Sequence, residues 1–188
     1  MTGVQTCALP ISFSYKNELD KAILDYNKAL ELDPEYGVAY RKRGEAYLDQ
    51  KKLNSAIDDF NRAIVLLPES ALSYNDRGYA WFLSGTDANA FSDLNQAIKL
   101  DPKYAEAYSS RGDVYFYNKK FKEALRDYEK AIKLDDQTAS AYVGKAEVLE
   151  QQRKLKQAEV EFNTALKMTK SAGLIKRINE GLRRVKGV

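Results

Sequence analysis

The chain has 188 residues, of which 44% are hydrophobic and 30% are charged, and its formal net charge is +3. It contains no histidine and one cysteine, Cys7, so an internal disulfide is excluded and most usual metal ligands and general bases are missing. No apolar run is long enough to span a bilayer. This composition favours a helical protein with well-solvated outer faces, and it predicts no metal and no cofactor.

Residues 1–12 (MTGVQTCALPIS) differ from the rest of the chain. They are uncharged, lack helical periodicity and place Pro10 where the repeat described below has glycine. Residues 2–11 also resemble a translated sequencing adaptor. We therefore interpret 1–12 as non-native and exclude it from the fold prediction. Such a segment would conceal a signal peptide or earlier repeats, so no compartment is assigned and the cytoplasm is expected only by default.

From residue 13 onward, a 34-residue period runs through the chain. Proline, glycine and tyrosine each return at this spacing, as in Pro34, Pro68 and Pro102. A fixed period of this size indicates a solenoid, in which each unit buries its apolar face against its neighbours. The predicted units are a truncated first repeat at 13–36, three full repeats at 37–70, 71–104 and 105–138, and a degenerate last repeat at 139–170.

Two apolar stripes in each unit predict two helices. With Gly37 as position 1, positions 4, 8 and 11 fall on one face of a first helix, and positions 20, 24 and 27 on one face of a second. Small residues at positions 8, 20 and 27 allow the two backbones to approach closely. In the unit 37–70 these positions hold Tyr40, Gly44, Tyr47, Ala56, Phe60 and Ala63.

This pattern resembles the tetratricopeptide repeat family. The family signature has an aromatic residue at 4, glycine at 8, tyrosine at 11, alanine at 20, an aromatic at 24, alanine at 27 and proline at 32. The resemblance covers 13–170, although Ala146, Leu149 and Lys170 replace the glycine, tyrosine and proline of the last unit. It implies an all-α solenoid of antiparallel helix pairs, wound as a right-handed superhelix.

An apolar stripe after the last repeat predicts a C-terminal capping helix in the segment 171–188. Because the stripe has helical spacing, it would cover the apolar end of the stack. Its members are Leu174, Ile175, Ile178, Leu182 and Val185.

Opposite charges recur at positions 7 and 23. Two pairings remain open: within a unit, as Arg43 with Asp59, or between neighbouring units, as Asp59 with Arg77. Either pairing assigns these charges to structure, because so regular an array is not typical of one specific site. The residues are Arg43, Arg77, Arg111 and Lys145 at position 7, and Asp25, Asp59, Asp93, Asp127 and Glu161 at position 23.

The sequence shows no phosphate-binding glycine loop, no metal-ligand spacing and no nucleophile beside a base. The adjacent carboxylates Asp58 and Asp59 would point about 100° apart on a helix, so they cannot act as an acid–base pair. We therefore predict a non-catalytic scaffold for protein–protein interaction. A targeting or regulatory domain of a larger enzyme is the alternative.

The family resemblance implies a concave groove that holds a partner peptide and is lined by positions 2, 5, 9 and 12 of the first helices. An aromatic floor with several acidic groups predicts a partner segment with apolar anchors and Lys or Arg. Alternatively, Phe82 and Phe116 pack between neighbouring first helices. The candidate groove residues are Arg41, Glu45, Asn75, Asp76, Tyr79, Phe82, Ser109, Asp113, Phe116, Glu147 and Glu150.

One function of the family can be compared position by position. Members that grip the C-terminal carboxylate of chaperones use lysine, asparagine and arginine at five groove positions. In this sequence acidic residues occupy three of the five, so a chaperone-tail clamp is not expected. The five residues are Arg41, Glu45, Asp76, Glu106 and Ser110.

The rival hypothesis is nucleic-acid binding through the basic C-terminal segment. It is disfavoured because the rest of the chain is acidic, and because cations also suit the C-terminus of a helix. The basic residues concerned are Lys167, Lys170, Lys176, Arg177, Arg183, Arg184 and Lys186.

Overall fold

The computed structural model describes residues 16–187, and the predicted non-native segment 1–12 lies outside them. The described residues form ten helices and no strand, which confirms the predicted all-α class. The helices are α1 Lys16–Leu32, α2 Gly37–Asp49, α3 Leu53–Leu66, α4 Ala71–Leu83, α5 Asp87–Leu100, α6 Ala105–Tyr117, α7 Phe121–Leu134, α8 Ala139–Gln151, α9 Leu155–Met168 and α10 Ala172–Lys186.

The helices alternate between two layers. We call α2, α4, α6, α8 and α10 the first helices, and α1, α3, α5, α7 and α9 the second helices. Each first helix from α2 to α8 packs against the second helix that follows it. Successive first helices also contact one another, whereas in the described part of the chain successive second helices do not. The first helices therefore line the inner side of a curved stack.

Glycine at position 8 permits the close packing of the helix pairs in the three full repeats. A Cβ added to Gly44 would lie 2.7 Å from Cε1 of Phe60, and one added to Gly112 would lie 2.7 Å from Cε1 of Tyr128. Neither contact is possible in a close-packed interior. Phe60 and Tyr128 are themselves fully buried. The core is consequently a series of clusters along the stack, each filled by one large side chain between small ones.

The repeated charges pair within units, the first of the two alternatives. Arg77 donates to both carboxylate oxygens of Asp93 at 2.7 Å. It also donates to Oδ1 of Asn61 in the preceding unit at 2.7 Å, so one arginine ties two units together. This hydrogen bond to Asn61 was not predicted from the sequence. The corresponding pairs are Arg43–Asp59, Arg111–Asp127 and Lys145–Glu161.

Helix α10 covers the C-terminal end of the stack. It packs mainly against α9, with Ile178 fully buried and Gly181 directly over the ring of Phe162. Its apolar stripe thus covers the core of the last repeat, as the capping prediction requires. None of the described helices is long and apolar enough to cross a membrane.

Candidate functional site

The inner surface formed by the first helices is open at one end and closed at the other. Val38 and Leu72, at position 2 of α2 and α4, are 40% and 46% exposed. Val143 and Glu147 on α8 are 0% and 8% exposed. The candidate groove is therefore accessible over α2 and α4 and covered over α8.

Two predicted groove residues lie between helices instead of on the open surface. Asn75 and Ser109, both at position 5, are buried. The hydroxyl oxygens of Ser109 and Ser140 lie 3.0 Å apart in a hydrogen bond, and the Asn75 amide donates to Oδ1 of Asp76 at 3.3 Å. Ser109 therefore contributes to the contact between α6 and α8, and neither Asn75 nor Ser109 is accessible on the predicted groove surface.

Arg41 organises the charges at the open end. Its guanidinium pairs with Glu45 and lies 3.2 Å from Oδ2 of Asp76, while Lys42 reaches Glu45 at 2.8 Å. Burial raises the pKa of the Asp76 carboxyl to about 6, and the nearby Glu45 adds to the rise. Because two cations face two carboxylates, this cluster offers no excess charge to a partner.

The closed end is filled by an arginine of the chain itself. Nε of Arg177 on α10 donates to Oε1 of Glu147 at 2.7 Å, and a second guanidinium nitrogen contacts the other carboxylate oxygen. The guanidinium also lies 3.5 Å from Oδ1 of Asp113, which accepts a hydrogen bond from the Tyr128 hydroxyl at 2.8 Å. Burial raises the pKa of Asp113, whereas for Arg177 the effect of burial is outweighed by Glu147 and Asp113, so its pKa is raised.

Two departures from the repeat create this network. Position 24 holds phenylalanine or leucine in the other units from residue 37 onward, and only Tyr128 adds a hydroxyl there. Position 6 of the next unit is Gly144, and a Cβ at that residue would lie 2.2 Å from Cζ of Tyr128. Neither the hydrogen bond of the Tyr128 hydroxyl nor the contact of Arg177 with the groove carboxylates was predicted from the sequence. The combination of glycine and tyrosine at these two positions is the signal that could have revealed them.

Several cations of the predicted nucleic-acid segment are already engaged. Besides Arg177, Arg184 donates to both carboxylate oxygens of Glu150 at 2.7 and 3.0 Å, and Lys186 lies 3.2 Å from Glu159. The predicted groove carboxylates Asp76, Asp113, Glu147 and Glu150 thus all have an internal cation. The prediction that a partner supplies Lys or Arg for them loses its electrostatic basis.

A row of aromatic rings leads out of the open part of the groove. Ring centroids lie 6.0 Å apart for Tyr79 and Phe82, 5.2 Å for Phe82 and Tyr117, and 5.7 Å for Tyr117 and Phe116. Phe82 and Phe116 are partly buried against the cores of their units, in agreement with the packing interpretation. Tyr117, at the end of α6, is 64% exposed. Tyr79, Phe82 and Tyr117, with Leu72, are therefore the side chains that could anchor an apolar ligand.

Comparisons with known proteins assign the family. The model described as "Tetratricopeptide repeat" matches residues 105–137, and the model described as "TPR repeat" matches 13–51 and 82–119. The crystal structure of MamA is similar at 31% identity, covering 81% of this chain and 90% of that one, with a TM-score of 0.64. This chain belongs to the tetratricopeptide repeat (TPR) family.

Other solved structures support the fold of this TPR protein. A thermophilic TPR protein of Thermus thermophilus has a TM-score of 0.77 at 21% identity, covering 88% of this chain and 91% of that one. The first TPR of Spaghetti, bound to the HSP90 peptide SRMEEVD, has a TM-score of 0.58 at 28% identity, covering 64% of this chain and 96% of that one. Among curated protein sequences, none matches this chain significantly.

Proposed function

We propose that this TPR protein is a non-catalytic scaffold that holds a segment of a partner protein in the open part of its concave groove. One observation carries the proposal. Exposed apolar side chains lie on the stretch of the inner surface that α10 leaves uncovered, at Val38, Leu72 and Tyr117, next to the partly buried rings of Tyr79 and Phe82. Such anchors in a concave site supply much of the binding free energy of a partner segment.

The peptide-bound structure of the first TPR of Spaghetti supports this class of function. The HSP90 peptide itself is not the proposed ligand. Glu45 and Asp76 stand at two of the compared clamp positions and are held by Arg41, so they offer carboxylates where a C-terminal carboxylate needs donors. The proposed partner segment is therefore bound through its apolar side chains in the groove.

The test compares apolar residues of the groove with apolar residues of the second helices that as a set are at least as exposed. Leu72, Tyr79 and Tyr117 are changed together to Ser in one variant. In the control, three exposed apolar residues of the second helices, Leu24, Val65 and Val160, are changed to Ser. Peptides selected from a random displayed library against the wild-type protein are then measured by calorimetry.

We expect the groove variant to lose at least about tenfold in affinity, the equivalent of about 1.4 kcal/mol, and the control to retain it. Circular dichroism must show unchanged helix content in both variants. If selected peptides bind both variants as tightly as the wild type, the groove is not the binding surface.

A further inference from the structure

Exposed cations follow the turns that join the first and second helix of a unit. We call this edge of the stack the basic rim. Every member is exposed, and in residues 16–187 none of them takes part in an ion pair. The members are Lys51, Lys52, Lys119, Lys120, Arg153 and Lys154.

The opposite edge of the stack has the opposite charge. It is formed by the loops that lead from a second helix to the next first helix, where the acidic residues Asp33, Glu35, Glu69, Asp101, Asp135 and Asp136 outnumber Lys103 and Lys170. Between the two edges, Arg41, Arg177 and Arg184 pair with the groove carboxylates Asp76, Glu147 and Glu150, whereas the exposed Glu106 has no ion pair within the described residues. Other exposed cations without an ion pair in the part of the chain that the structure describes, such as Arg62, Lys99 and Arg126, lie on the second helices, so the basic rim is distinguished by its place beside the groove and not by being the sole source of positive charge.

The aromatic row connects the groove to this rim. Tyr117, the most exposed ring of the row, is the last residue of α6, and Lys119 and Lys120 follow within the same turn. Arg153 and Lys154 occupy the matching turn of the next unit. A chain that runs along the aromatic row would thus leave the groove directly over four exposed cations.

We propose that the partner segment continues beyond its apolar anchors with aspartate or glutamate residues, which bind Lys119, Lys120, Arg153 and Lys154 on the basic rim. This inference rests on the proposed function and names the charge of the partner. It reverses the sign predicted from the sequence, because Asp76, Asp113, Glu147 and Glu150 are paired with internal cations and the cations of the rim are not.

The rim suits a short acidic segment better than a polyphosphate or an anionic membrane. Its row of cations is broken at the turn Gly85–Thr86–Asp87, and Asp87 is held there by Asn118 at 2.7 Å. Glu123 adds a further carboxylate in the first turn of α7. A continuous polyanion would meet these carboxylates, whereas a segment of a few residues leaving the groove would meet only the two basic turns.

The test uses fluorescently labelled random copolymers of glutamate and tyrosine and of lysine and tyrosine, both at a ratio of about four to one. In the rim variant Lys119, Lys120, Arg153 and Lys154 are changed to Glu. In the control variant four exposed lysines outside the rim, Lys28, Lys99, Lys133 and Lys167, are changed to Glu, so the net charge is the same. Helix content and Tm are measured for both.

We expect the wild type and the control to bind the glutamate copolymer at low salt, and the rim variant to bind it at least about tenfold more weakly. The affinity should fall as salt rises, because exposed charges are screened. Equal losses in both variants, or tighter binding of the lysine copolymer by the wild type, would overturn the inference.

Single-stranded DNA and vesicles containing one quarter phosphatidylserine are measured in parallel. Tighter rim-dependent binding of either probe than of the glutamate copolymer would overturn the choice of a protein partner. The variant with Leu72, Tyr79 and Tyr117 changed to Ser separates this inference from the proposed function. If this variant binds the glutamate copolymer as tightly as the wild type while the rim variant binds it more weakly, binding to the basic rim is confirmed. Apolar anchoring in the groove is then not confirmed.

Discussion

Replacing Gly144 with Ala tests the contact that shapes the closed end of the groove. The added Cβ would lie 2.2 Å from Cζ and 2.7 Å from the hydroxyl oxygen of Tyr128, which is fully buried and cannot move into solvent. Overpacking of this kind costs about 1–3 kcal/mol. Displacing the ring would also break the hydrogen bond to Asp113, for about 1 kcal/mol more.

Alanine also gains about 0.5–1 kcal/mol over glycine inside a helix, which offsets part of this cost. We therefore expect Gly144→Ala to lower the free energy of unfolding by about 1–3.5 kcal/mol. The comparison is the same substitution in a Tyr128→Leu background. Leu94 already occupies position 24 of the unit 71–104, the position that Tyr128 holds in its own unit. With leucine at residue 128, the Cβ added at residue 144 should therefore find space.

The assay is urea unfolding followed by circular dichroism for the wild type, the two single variants and the double variant. In the leucine background, Gly144→Ala should be neutral or stabilising by about 0.5 kcal/mol. This double-mutant cycle thus isolates the interaction free energy between residues 128 and 144. An equal effect of Gly144→Ala in both backgrounds, or a loss below about 0.5 kcal/mol with Tyr128 present, would refute this account of the contact.

Three further predictions concern the charges and turns of the repeats. Since burial raises the pKa of Asp76 to about 6, above its ordinary value of 3.8, its contribution to stability falls by about 3 kcal/mol as pH rises from about 4 to about 7. Asp76→Asn should flatten the pH dependence of urea unfolding in that window, and an unchanged slope would contradict the assignment. Gly85 and Lys119 share the left-handed turn position, with φ of 79° and 59°. In thermal melts, Gly85→Ala should therefore cost about 1 kcal/mol and Lys119→Gly should gain about 0.5 kcal/mol, while a reversed order would exclude backbone strain. Arg111→Lys keeps the charge but loses the paired hydrogen bonds to Asp127. The free energy of unfolding should therefore fall by about 1–2 kcal/mol. Stability equal to that of the wild type would show that charge alone suffices.

The fold could be predicted from the sequence because each unit repeats the same local solution. Glycine at position 8 and alanine at positions 20 and 27 fix which faces meet, and a 34-residue period fixes how units stack. The pairing of Arg77 with Asp93 could be narrowed only to two choices, since the sequence gives the period of the charges but not the rotation between units.

The groove could be predicted less well, because its accessibility depends on residues that do not repeat. The register of position 9 placed Asp113 and Glu147 on the inner surface, but α10 has no counterpart earlier in the chain. No repeated feature of the sequence indicated that Arg177 would contact Glu147 and Asp113. Asn75 and Ser109 at position 5 were placed on the groove surface but are buried, and Ser109 contacts Ser140 of the neighbouring first helix.

The hydrogen bond between arginine and asparagine that links neighbouring units also bears on how the stack comes apart. Asn27, Asn61 and Asn95 each accept such a bond from the arginine of the following unit. The next residue in that series is Glu129, and within the described residues Lys145 pairs only with Glu161 of its own unit. The junction between 105–138 and 139–170 therefore lacks this link.

Arg177 supplies a substitute, because one guanidinium on α10 contacts α8 through Glu147 and α6 through Asp113. In a one-dimensional array, such a link decides whether the last unit frays alone or opens together with its neighbours. Removing this side chain should split one cooperative block into two, so that amide hydrogens of α8 and α9 exchange ahead of those of α6 and α7. The helix that caps the end of the stack would then set the size of the block that unfolds as one.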